Sequence, residues 1–330
     1  GAKAAGTQYS ELAEAVIQAL FPRVVRQFSI KHGPPPGSGP IVIAMGALGA
    51  GQINARSDLD IIVVYDPKDV EMSQGRKALA TRAYYARLTQ ALITALSAPM
   101  SQGRLYEVDM RLRPSGTQGP VATSLESFCQ YQRNDAWVWE HLALTRARVV
   151  AIAPLPAAAG LAQDIAAFRR TFLAAPRSRD AILPDVAKMR ARLAAAKAPS
   201  GPWDAKTGAG RMMDIELIAQ AGVLLSAATG QDVAAGLEGA VACGWLDAAD
   251  AAELQRGYAL FWAVQTAARL VSGKAIDAQT LGEGGALFLC RSTGYADLAA
   301  LEADLTARYA RCGDIIAAAL EREGATGHDD

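Results

Sequence analysis

The sequence predicts an α+β protein: an α/β domain over residues 1–152, opened by an N-terminal helix, followed by an all-helical bundle over residues 153–330. Two observations lead there. Apolar runs of strand length and alternation are confined to the first part, at Ile41 to Met45, Ile61 to Val64 and Leu105 to Leu112. After Pro120 the chain is rich in alanine and leucine recurring at spacings of three and four, with almost no strand signal, and Pro154 and Pro156 mark the change of domain. A chain of 330 residues is long enough for two cores, since single cores rarely grow past about 250 residues.

Tyr9, Leu12, Val16 and Leu20 predict an amphipathic helix from about Ser10, packed on the sheet and broken or kinked at Pro22. The segment Gly33 to Pro40, GPPPGSGP, is excluded from helix and central strand and reads as a connector. A strand then runs from Ile41, turns at Gly46 and at Gly49 to Gly51, and returns through a polar loop to a second strand headed by Asp58 and Asp60. A helix over 76–96 shows Tyr85, Leu88, Leu92 and Leu96 on its apolar face and stops before Pro99. In the strand over 105–112, Tyr106, Val108, Met110 and Leu112 share one face, and Leu105, Glu107, Asp109 and Arg111 the other. Thr123 with Glu126 forms a capping box for a helix carrying Phe128 and Tyr131; a second helix follows Asn134, with Trp137, Trp139 and His141 read as packing residues. Further helices are predicted over 181–197, 213–228, 248–271 and 295–323, the last marked by Leu298, Leu301, Leu305, Tyr309, Cys312, Ile316 and Leu320.

Composition narrows the function classes. The 33 basic and 33 acidic residues cancel, which argues against a general nucleic-acid or membrane-surface binder. Cys129, Cys243, Cys290 and Cys312 lack zinc-site spacing and predict neither a metal site nor a disulfide framework. No signal segment or membrane-length apolar run appears, so the expectation is a soluble, cytoplasmic protein. His32 and His328 lie in contexts that read as flexible and carry no signal.

The chemistry-bearing residues gather on the strands. Asp58 and Asp60, two apart, put two carboxylates on one face at the mouth of a strand too apolar to be exposed. Such oxygen donors suit magnesium, and the glycines upstream let backbone N–H groups approach phosphates. Asp109 offers a third carboxylate from another strand, and Arg111 and Arg113 can fork onto phosphate oxygens. The alternative is an ordinary solvated strand edge with ion-paired acids.

The glycine-led loop followed by Asp-x-Asp resembles the nucleotidyltransferase signature. More specifically, GALG…SDLDIIVVYD, the block from Tyr106 to Ala151 and the stretch from Trp203 to Gln220 resemble the glutamine synthetase adenylyltransferases. Members of that family carry two nucleotidyltransferase halves, one removing AMP from glutamine synthetase by phosphorolysis and one attaching it from ATP. Pro114-Ser115-Gly116, Trp139-Glu140-His141 and Asp214-Ile215-Glu216 resemble the attaching half. The resemblance implies a polymerase-beta-like nucleotidyltransferase domain that moves AMP from ATP to a tyrosine of glutamine synthetase and releases pyrophosphate. It implies magnesium or manganese held by Asp58, Asp60 and Asp109, and nucleotide contacts from Gly46, Gly49, Ser57, Arg111 and Arg113. Glutamine synthetase and a PII-type signal protein are the implied partners. Lys206, Asp214 and Glu216 are candidates to reach the cleft from the helical domain, although acids at a helix start are also stabilised without any such duty. Ala47 stands where the family usually has lysine, and Arg211 where it usually has a second glycine. Phosphorolytic removal of AMP, or a docking module without catalysis, are the competing readings.

Overall fold

A computed structural model describes residues 1–272, 276 and 281–321. The chain divides into two compact units. One comprises Gln8–Ile53 with Ser57–Phe172, and the other Gly1–Thr7, Asn54–Arg56 and the described part of Leu173–Asp330.

The first unit is built on a five-stranded mixed sheet. In chain order its elements are α1 (Ala2–His32, whose first turns belong to the other unit), β1 (Ser38–Ala44), α2 (Gly46–Gly49) and β2 (Leu59–Asp66). They continue with α3 (Thr81–Ser97), β3 (Val108–Asp109), β4 (Ala122–Ser124), α4 (Leu125–Asn134), α5 (Val138–Leu144), β5 (Arg148–Ile152) and α6 (Pro156–Leu173). The strand order is β3-β2-β1-β5, with β4 also on β2. β1 runs antiparallel to β2 and to β5, whereas β3 and β4 lie parallel to β2, β3 near its start and β4 toward its end. Alternation along β2 sends Leu59, Ile61, Val63 and Tyr65 into a core with Ala13, Ile17, Phe21 and Val25 of α1 and Tyr84, Leu88 and Leu92 of α3. Ile62 and Val64 enter a second core with Phe128, Leu161 and Ile165.

Several elements depart from the sequence expectations. Helix α1 begins at Ala2 and passes through Pro22 without a break. An interior proline costs about 3 kcal/mol, but Ile17, Phe21 and Val25 are buried around it, each contributing about 1.5–3 kcal/mol. β1 starts inside the expected connector, at Ser38, although it is a central strand. Its register with β2 shifts between Ser38 and Ile41, and Pro40 sits in that irregularity, where it lacks no regular ladder bond. The strand expected over 105–112 is reduced to two residues: Tyr106, Val108 and Met110 keep one face, but Leu112 packs in the other core because the chain turns after Asp109. β4 and β5, after Pro120, were not expected at all; three residues carry no period, and Arg148–Ile152 is hidden between a helix and two prolines.

Ser124 rather than Thr123 caps α4, its hydroxyl accepting the Ser127 N–H at 3.2 Å. Trp137 is not a packing residue: it precedes α5 and is 67% exposed. His32 is buried, its Nδ1 2.6 Å from the Lys77 carbonyl, while His328 lies outside the described residues.

The second unit contains α7 (Arg179–Ala196), α8 (Met212–Ser226), α9 (Val233–Ala242), α10 (Ala248–Val271), α11 (Gly282–Thr293) and α12 (Leu298–Glu321). Of these, α9 and α11 were unexpected. The α12 stripe Leu301, Leu305, Tyr309, Cys312 and Ile316 is buried as its spacing required; the expected end at Glu323 falls outside the described residues. All four cysteines are free. Among the described residues no helix is long and apolar enough to cross a membrane.

Candidate active site

β1 and β2 are antiparallel neighbours, so the turn that ends β1 lies beside the start of β2. The Met45 N–H bonds to the Asp60 carbonyl at 2.8 Å. α2, the expected glycine turn, is a single turn of helix wedged there. Gly46 has φ +52°, and a Cβ on it would stand 2.3 Å from Asp60 Oδ2; only a residue without a side chain lets the turn approach the carboxylate this closely. Gly49 is confined from the other side, where a Cβ would meet the Arg146 carbonyl at 2.1 Å.

The register of β2 and β3 sets Asp60 directly against Asp109, and partners across a ladder share a face. Asp58, exposed, precedes β2 by one residue and Ser57 by two. Arg111 lies among these acids. Its Nε donates to Asp109 Oδ2 at 2.8 Å and its backbone N–H to Oδ1 at 2.8 Å. The Asp109 carboxyl is thereby held below the usual carboxylate range by Arg111, against a smaller upward push from burial. The guanidinium is stabilised by the bond to Asp109 and by the charges of Asp60 and Asp58. The Arg111 side chain is 75% exposed, which makes the pair worth no more than about 1 kcal/mol and open to competition from a phosphate.

Arg113 has a different duty. Its Nη1 donates to the Met110 carbonyl at 2.8 Å, its Nε to Gly119 at 3.1 Å and its Nη2 to Thr117 at 3.3 Å, so it folds the loop after β3. Next to that loop lies a polar cluster which the sequence did not disclose. Ser115 stands in the left-handed region at φ +59°, beside the Tyr131 phenol. The Tyr131 O–H donates to both Glu140 oxygens at 2.9 Å, and the Trp137 N–H reaches Glu140 Oε2 at 3.1 Å. Burial pushes the Glu140 carboxyl up, and these two donors oppose it. The residues come from a loop and two helices, so no periodicity marks them.

An all-oxygen carboxylate set fits a hard divalent cation. Among the described residues, however, no three His, Cys, Asp or Glu side chains stand ready as a ligand cluster, and Asp109 is turned onto Arg111.

The candidates in the helical unit are engaged locally. Asp214 is buried and paired with Arg190, Nε to Oδ1 2.8 Å, and accepts the Gly210 N–H at 2.7 Å. Glu216 accepts the Tyr258 hydroxyl at 2.8 Å. Lys206 is exposed. Arg211 donates to the carbonyls of Gly201, at 2.9 Å, and Asp204, and its guanidinium lies 4.1 Å from the centre of the Tyr309 ring. This explains how a long cation is accommodated beside Gly210.

Comparison with known proteins bears on what such a site does. Residues 2–163 match the family profile "Glutamate-ammonia ligase adenylyltransferase", and residues 186–322 match "GlnD PII-uridylyltransferase". Over 326 residues the chain is 38% identical to a bifunctional glutamine synthetase adenylyltransferase/adenylyl-removing enzyme of Bradyrhizobium sp., covering 97% of this chain and 33% of that protein. Relatives of the same description from Brucella suis biovar 1 and Rhizobium meliloti are each 39% identical, over 92% and 91% of this chain and 31% of their own lengths. The chain matches the glutamine synthetase adenylyltransferase family over most of its length. It spans about a third of the length of these curated relatives. The acids of β2 and β3 lie within the part matched by the adenylyltransferase profile.

Proposed function

We propose that this chain moves AMP from ATP to a tyrosine hydroxyl of glutamine synthetase, in the cytoplasm, as part of nitrogen regulation that also engages a PII-type protein. The observation that carries the reading is the pairing of Asp60 with Asp109 beneath a glycine turn that tolerates no side chain against Asp60, in a chain similar to adenylyltransferases.

In the transfer, the tyrosine oxygen attacks the α-phosphorus, the bond from that phosphorus to the bridging oxygen breaks, pyrophosphate leaves, and the phenolic proton is lost. A magnesium or manganese ion bound by Asp58, Asp60 and Asp109 would offset charge on the phosphates. Gly46 and Gly49 keep the turn close to the acids, so that the nucleotide phosphates and Asp60 share one small space. Arg111, itself exposed, exchanges its partner Asp109 for phosphate oxygens, which it can grip as a planar fork. An aspartate carboxyl, with an ordinary pKa near 3.9, serves better as an orienting charge than as the base for a phenol of pKa near 10. Arg113 holds the loop that presents Arg111.

The test is incubation with labelled ATP, magnesium and glutamine synthetase, with and without a PII-type protein. Label on the synthetase is expected, and phosphate should not efficiently strip AMP from modified enzyme. Phosphate-dependent release of ADP that outpaces labelling would favour the removing activity that the relatives' description also names. Absence of metal-dependent ATP binding by calorimetry would leave only a docking role.

A further inference from the structure

The glycine turn is gripped from behind by residues distant in the chain. Arg148, the first residue of β5, donates from Nε to the Gly49 carbonyl at 2.9 Å and from Nη2 to the Leu48 carbonyl at 3.1 Å. Terminal carbonyls of a helix have no partner within it, and here one guanidinium takes two of them. The same group forks onto Glu14 of α1, with Nη1 2.7 Å from Oε2 and Nη2 bonded to Oε1. Glu14 also accepts the Ser10 hydroxyl at 3.1 Å. Burial alone would raise the Glu14 carboxyl, but the bonds and charge of Arg148 hold it below its ordinary value. The two side chains are 28% and 18% exposed, so this is no solvated surface pair.

The turn has little room to choose its own position. Gly46 abuts the Asp60 carboxylate and Gly49 the Arg146 carbonyl, and what lies between them is drawn toward Arg148. The attachment of α1 to β5 does not need this pair: Gln18 donates to the Val150 carbonyl at 3.0 Å, and Ala13, Ile17 and Phe21 share a core with Val150 and Ala151. What Arg148 adds is a hold on the turn itself.

We propose that Arg148, braced by Glu14, is a positioning residue for the nucleotide: it sets the spacing between the glycine turn and Asp60, and with it the affinity for ATP. The proposal rests on the nucleotide-transfer reading above. Displacements of about 1 Å by residues remote from the chemistry can change rates about a hundredfold. Arg148→Met, which keeps the stem and removes the fork, should therefore raise the Kd and KM for ATP by about ten- to a hundredfold, with a smaller change in kcat. Arg148→Lys keeps charge but not the planar fork and should recover only part of the affinity. Glu14 acts through Arg148, so Glu14→Gln should weaken ATP binding less than Arg148→Met, and the double variant should match Arg148→Met alone.

The experiment is titration of ATP with magnesium by calorimetry, together with labelling kinetics and melting curves, on the wild-type chain and these four variants. Non-additive loss of ATP affinity in variants that remain folded supports the proposal. A lowered Tm with ATP Kd and KM within twofold of wild type assigns the pair a merely structural role and overturns it, as does additivity of Glu14→Gln and Arg148→Met. Should Arg148→Met not fold, Glu14→Gln and Arg148→Lys carry the same decision, since unchanged ATP affinity in both refutes the proposal. A wild-type chain that binds no ATP overturns the nucleotide reading and this inference together.

Discussion

Gly46→Ala separates the cost of the glycine turn's backbone from the cost of disturbing the acid beside it. Alanine at φ +52° occupies the left-handed region, at about 1–2 kcal/mol. The new Cβ would lie 2.3 Å from Asp60 Oδ2 and 3.0 Å from its Cγ. A carboxylate end can rotate away, so little more stability is lost, but it must retreat by about 1 Å to reach ordinary contact. The expected fall in Tm is about 2–8 °C, whereas AMP transfer should fall about a hundredfold, the effect of such a shift on a reacting constellation. Gly294→Ala is the control: φ there is +81° and nothing lies within 4 Å of the added Cβ, so it meets the backbone cost alone. Melting curves and labelling of glutamine synthetase at saturating ATP are measured for both variants. If Gly46→Ala retains as much activity as Gly294→Ala, the turn is not held against a working carboxylate.

Asp58→Asn and Asp60→Asn should each abolish most transfer, and the double variant should add little, because residues that act as a unit are not additive; additive partial losses would show separate roles. The Arg111 guanidinium lowers the Asp109 carboxyl, so its stabilisation is complete above the unfolded value near 4 and fades as pH falls through the lowered folded value. Arg111→Ala should thus melt below wild type at pH 7, and the gap should narrow as pH falls below the unfolded value; a gap that does not narrow in acid contradicts the pairing. Asp214→Ala leaves the Arg190 charge unpartnered by that carboxylate and should cost about 3–5 kcal/mol, measured by denaturant titration. Glu216→Gln retains an acceptor for the Tyr258 hydroxyl and should lower turnover with Tm nearly unchanged; unchanged turnover would make Glu216 an ordinary helix-start acid.

Local spacing by itself determined a good deal of this protein. The alternation of β2 around Asp60, the apolar face of α3, the bounds of α10 and the stripe of α12 were all legible, because a period of two or of 3.6 is imposed by the backbone and written in successive residues. The placing of Asp60 and the turn at Gly46 and Gly49 were legible in the same way, while the resemblance to a family rested chiefly on the longer block from Tyr106 to Ala151. Tertiary structure alone decided the rest. Whether Pro22 broke α1 depended on burial supplied by strands that follow it in the chain. Whether Leu105 to Leu112 stayed extended depended on Asp109 turning onto Arg111, and β4 and β5 exist because β2 and β1 offer them edges. The roles of Arg113, Tyr131 with Glu140, and Arg148 with Glu14 depend on carbonyls and carboxylates up to 134 positions away. A side chain's type is local, but its hydrogen-bond partner is assigned only when the chain closes, and no spacing rule reaches across that distance.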